Sequence, residues 1–119
     1  MTFDPKTLDR FNELLIELKA GIKYPVEEIT LLLWNSGVCW DLAFQARERR
    51  EPTDFYDFFR DYKTATLDEC AAAVSLLEPD LLASVLCCEG RYVTHWDFYY
   101  DNEINNFFIA GVERLLALN

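Results

Sequence analysis

Four prolines, Pro5, Pro25, Pro52 and Pro79, divide this chain of 119 residues, and between them apolar residues recur at mostly helical spacing. Proline lacks the backbone N–H and clashes with the preceding turn, so a regular helix does not run through it, although the first helical turn accepts it. The chain should therefore be a series of helices that begin or end at these points. Half of the residues are apolar and 15% are aromatic, against only four glycines, which excludes disorder, collagen-like repeats and turn-rich small β domains. A chain of this length is about one domain's worth and holds a core without disulfide or metal staples. The expected fold is all-α: a compact single-domain bundle of about five to seven helices over residues 1–119.

Asp4 followed by Pro5 is a helix start, and Leu8, Phe11, Leu15 and Leu18 recur at helical spacing until Gly21. From Pro25 to Phe44 the chain is apolar nearly all round, which predicts a central helix packed on several sides, with Gly37 as a point where it could divide. Arg47, Arg49 and Arg50 suit the negative end of that segment before Pro52 stops it, and read as solvated capping residues rather than a phosphate site, since no glycine-rich loop accompanies them. Phe55, Phe58, Phe59 and Tyr62 form a core-facing stripe flanked by Asp54, Asp57 and Asp61. Thr66 and Glu69 have capping-box spacing, Pro79 opens a further helix that Gly90 is expected to end, and Ile104, Phe107, Phe108, Val112 and Leu115 mark a C-terminal helix with Gly111 as a close-packing point.

The stretch HWDFYYDNE, residues 95–103, combines rings with carboxylates. Carrying the C-terminal helix back through Trp96 would turn Asp97 and Asp101 toward the apolar stripe, at a cost of several kcal/mol for two unpaired carboxylates, so that helix should begin near Asp101 with Asp101 as its cap. Residues 92–100 then form a separate element. Helix or turn is the preferred reading, and a short extended segment is the alternative because the residues also alternate. An element this short cannot bury all its rings on one side. Tyr and Trp combine large rigid area with a polar tip, and neighbouring carboxylates attract Lys and Arg. Trp96, Asp97, Tyr99, Asp101 and Glu103, with Asp54, Tyr56, Asp57 and Asp61, are accordingly the candidate partner-binding residues.

The formal net charge of −10 disfavours direct contact with nucleic acid and favours a basic protein partner. The N-terminus lacks a signal-peptide pattern and no stretch reaches membrane-span length, which predicts a cytoplasmic protein without a membrane partner. Cys39, Cys70, Cys87 and Cys88 lie in apolar helical stretches without a C-x-x-C pair and read as reduced, mostly buried thiols. His95 is the single histidine, no nucleophile signature surrounds any thiol, and carboxylates at i, i+4 are ordinary on so acidic a chain, so neither catalysis nor a metal or other cofactor is expected. The functional expectation is a small acidic interaction protein that neutralises a basic partner, in the manner of an immunity protein or antitoxin against a toxin such as a nuclease. Alternatives are a nucleic-acid-mimicking inhibitor of the anti-restriction or anti-CRISPR type and a small helical metal-dependent enzyme.

Overall fold

The computed structural model describes residues 2–96 and 104–119, which form seven α-helices and one 3₁₀ turn, with no strand among the described residues. The helices are α1 (Pro5–Lys19), α2 (Pro25–Asn35), α3 (Asp41–Arg49), α4 (Thr53–Phe59), α5 (Leu67–Val74), α6 (Pro79–Trp96) and α7 (Ile104–Ala117), with the 3₁₀ turn at Tyr62–Thr64 between α4 and α5. Local chemistry sets most of these ends. The Asp4 carboxylate accepts the Thr7 N–H at 2.9 Å and opens α1, Gly21 leaves it at φ +89°, and Thr66 and Glu69 form a reciprocal capping box at α5.

The centre of the globule is formed by α6, packed against α2, α3 and α7, together with α7, which also contacts α1, α5 and the 3₁₀ turn. Residues from Leu82 to Gly90 of α6 are all buried, as are Phe107, Phe108, Val112 and Leu115 of α7. Each large apolar side chain so buried contributes roughly 2–3 kcal/mol relative to exposure. Close approach between the helices depends on small residues. A Cβ on Gly111 would lie 2.4 Å from Leu86 Cδ2, which confirms that glycine as a packing point, and the buried Ser84 hydroxyl accepts the Ala43 N–H at 3.0 Å near the start of α3. Asn105 donates to the Ile22 carbonyl at 3.2 Å and ties the start of α7 to the chain leaving α1.

Four sequence expectations change. The segment 25–44 divides at Gly37, the point where the sequence allowed a division, which adopts φ +86° between α2 and α3, and it is not central: the central positions belong to α6 and α7. Gly90 does not end a helix. It lies inside α6 because a Cβ there would come within 2.0 Å of Thr30 Oγ1, so the missing side chain is what lets α2 approach. Residues 92–96 consequently continue α6: they are helical, as preferred, but not a separate element, while residues 97–103, including the proposed cap Asp101, lie outside the described residues. The aromatic stripe of residues 55–62 is also divided, since α4 stops at Phe59 and Tyr62 is brought inward by the 3₁₀ turn.

Candidate interaction surface and cation-lined cavity

Two neighbouring features on one side of α6 concentrate the chemistry of the described surface. The first is an aromatic face built by α2 and α3. Helical spacing puts Leu31 and Trp34 on the outer side of α2, where they are 52% and 46% exposed, and Phe44 of α3 is 46% exposed. Trp34 meets Trp40 edge to face at 5.3 Å, and Trp40 in turn lies 6.2 Å from Phe44. The Arg91 guanidinium of α6 sits 4.1 Å above the Trp40 ring and 5.8 Å from that of Trp34. Cation–π contacts of this kind contribute about 0.5–1 kcal/mol at exposed sites, enough to orient the side chain. A cleft of about 320 Å³ between Leu31, Trp34, Arg91 and His95 deepens this face.

The second feature is a cavity of about 530 Å³ where the end of α3, α4 and the 3₁₀ turn meet α6. Arg47, Arg50, Arg60 and Lys63 line it, together with aromatic walls that include Tyr56 and Tyr92. Glu89 lies at its base, with its side chain only 8% exposed. The Glu89 carboxylate accepts the Tyr62 hydroxyl at 3.1 Å and the Arg47 guanidinium at 3.2 Å. Burial raises the Glu89 carboxyl above its ordinary range, while these two hydrogen bonds and the nearby Lys63 oppose the rise. Arg47 is thereby held in place, with its guanidinium 5.7 Å from the centre of the Phe59 ring and 6.0 Å from that of Phe44. Arg50 caps α3 at φ +54°, ψ +49°, a left-handed conformation that favours glycine and costs a side-chain-bearing residue about 1 kcal/mol.

The sequence-predicted site residues divide between these regions. Tyr56 lines the cavity and donates its hydroxyl to the Ala43 carbonyl at 3.3 Å, and burial raises its phenol above the ordinary value. Asp57 pairs with Arg50 at 3.2 Å and Asp61 with Arg60 at 3.7 Å, so both acids sit beside cations of the cavity. Asp54 is exposed in the first turn of α4. Trp96 is the last residue of α6, and Asp97, Tyr99, Asp101 and Glu103 lie outside the described residues. Trp34, Phe44, Arg91 and Glu89 were not among the predicted site residues. The first two lay in a run read as core, and nothing in the sequence distinguishes Glu89 from the other acids.

Of the three terminal arginines, Arg49 is a solvated residue beside Glu51, whereas Arg47 reaches across to α6. Cys39 is exposed and Cys70, Cys87 and Cys88 are buried, all as free thiols. Burial pushes Cys70 and Cys87 up to about 11. Among the described residues, no three His, Cys, Asp or Glu side chains converge as metal ligands, and no helix is long and apolar enough to cross a membrane. No protein-family model, curated protein or solved structure matches the chain.

Proposed function

We propose that this is a small acidic interaction protein that binds and neutralises a basic partner protein, as an immunity protein or antitoxin does with a toxin such as a nuclease. The observation that carries the reading is the aromatic face of exposed Trp34 and Phe44 on either side of half-buried Trp40, with Arg91 stacked on it, in a chain of net charge −10. Trp, Tyr and Arg are the residues most often found at the energetic centres of protein interfaces, where they offer rigid area and desolvate well. A surplus of acid accelerates encounter with a basic surface and repels nucleic acid, which makes protein the favoured partner class. The free thiols support a reducing compartment, and on that ground the cytoplasm is the proposed location.

Copurification from the native host tests the reading. The tagged parent should recover a basic protein, with recovery falling as salt is raised, and a Trp34→Ala/Phe44→Ala double variant should lose it while retaining the parent's helical circular dichroism. Recovery of an acidic partner, or undiminished recovery by the folded double variant, would refute the assignment.

A further inference from the structure

We propose that the cavity between α3, α4 and α6 is a binding site for a small organic phosphate, with its anionic group held by Arg47, Arg50, Arg60 and Lys63 and its organic part against Tyr56 and Tyr92. This does not rest on the basic-partner reading, because it concerns a different part of the surface and a ligand of opposite charge. The first support is the distribution of cations. Four of the eleven basic residues of an acidic chain line one cavity of about 530 Å³, within the range of small-molecule sites.

The second support is the arrangement of those cations. Glu89 is a buried carboxylate, and it fixes Arg47 at the cavity wall by a hydrogen bond at 3.2 Å. A guanidinium oriented before the ligand arrives loses less freedom when it binds, and its planar fork suits two phosphate oxygens at once. Arg50 and Arg60 are held differently. Their pairs with Asp57 and Asp61 are exposed, with side chains at least 60% accessible, and exposed ion pairs exchange for another anion at little cost. Arg50 also occupies a left-handed position where glycine is the ordinary residue, so its side chain stands at the cavity despite a backbone preference against it. The aromatic walls supply area for a flat organic group, and cation and ring already approach each other there, with Lys63 Nζ 5.8 Å from the Tyr92 ring centre.

Titration calorimetry of the full chain at low salt tests the proposal with adenosine monophosphate, inorganic phosphate and adenosine as probes. The monophosphate should bind, inorganic phosphate should bind more weakly, and adenosine should give no heat of binding. An Arg60→Gln/Lys63→Gln double variant should lose at least about tenfold in affinity, since a charge-assisted hydrogen bond contributes enough for that factor. Asp57→Asn should tighten binding by about threefold, because it releases Arg50 from an exposed pair. Amide shifts in the nitrogen-15 spectrum of the parent on adding the monophosphate should centre on residues 47–63 and Glu89, a readout that does not need the variants to fold. Absence of binding by all three probes at millimolar concentration would overturn the proposal. So would equal binding of adenosine and its monophosphate, shifts centred elsewhere, or full affinity in the double variant.

Discussion

Replacing Gly90 by alanine separates two roles that glycine can have in a helix. Inside a helix the change alone favours folding by about 1 kcal/mol, because alanine has less backbone freedom to lose. Against this, the added Cβ would stand 2.0 Å from Thr30 Oγ1 and 3.2 Å from Thr30 Cβ, while Phe108 at 3.6 Å is an ordinary contact. Thr30 is buried and β-branched, and its hydroxyl donates to the Val26 carbonyl at 2.8 Å, so it cannot swing aside without losing that bond. Overpacking of this kind costs about 1–3 kcal/mol, and displacement of a buried hydrogen bond adds about 1 kcal/mol. Gly90→Ala should therefore destabilise the protein by about 1–3 kcal/mol net, a fall in melting temperature of about 4–12 °C for a chain of this size. Urea unfolding of Gly90→Ala, Thr30→Ala and the double variant gives the coupling between the two positions. The double variant should be more stable than the sum of the single effects implies, by about 1 kcal/mol or more. Effects that add within about 0.5 kcal/mol, or a Gly90→Ala protein more stable than the parent, would refute the close-packing argument.

The remaining predictions concern buried polar groups and the thiols. Because burial raises the Glu89 carboxyl above 4.5, the folded protein takes up this proton at a higher pH than the unfolded chain does. Relative to Glu89→Gln, the parent should gain stability as pH falls from neutral toward about 4.5, and urea unfolding at several pH values showing the opposite slope would contradict it. Ser84→Ala removes one of the two acceptors of the Ala43 N–H, the Trp40 carbonyl at 3.1 Å being the other, and should cost about 0.5–1 kcal/mol in urea unfolding; a variant as stable as the parent would mean that the Ser84 bond contributes nothing. A thiol reagent at pH 8 should label Cys39 rapidly and the three buried cysteines only on unfolding, and the melting temperature should not respond to reductant; rapid labelling of all four would show the core open on that timescale.

The parts of the fold that were legible in the sequence are those decided by neighbours along the chain. Asp4 before Pro5, the Thr66–Glu69 box and Pro79 each act within a single helical turn, and each marks an observed helix start. The α7 stripe was equally plain, because its apolar residues share one face. What the sequence did not reveal was which helix lies at the centre. Residues 25–44 are more uniformly apolar than α6, yet Leu31, Trp34, Leu42 and Phe44 face outward. Hydrophobicity does not distinguish a core face from an exposed patch, since both are read as the same excess of apolar residues. The buried run of α6 instead includes Ala83, Ser84, Cys87, Cys88 and Gly90, residues whose small size invites neighbours close. Gly90 illustrates the difficulty: glycine is the common residue both after a helix and at a close crossing, and the choice is made by Thr30, far away along the chain.

The same locality governs the site. Five of the eleven basic residues fall between positions 47 and 63, so a concentration of cations was visible in the sequence, but their surroundings were not. Arg49 stays beside its neighbour Glu51, as a solvated helix end should, whereas Arg47 is committed to Glu89 on another helix. That one contact changes a capping residue into part of a cavity wall. It also places two opposite electrostatic tendencies on one molecule, separated by range. The net charge of −10 acts on a basic protein at a distance and is reduced at physiological salt, where screening sets in within about 8 Å. The cavity acts only on a group in contact with it, through short-range hydrogen bonds from a guanidinium that Glu89 already holds in place. Salt should therefore slow the association of a basic partner more strongly than it weakens an anion bound beside Arg47, and that difference follows from where the charges lie rather than from how many there are.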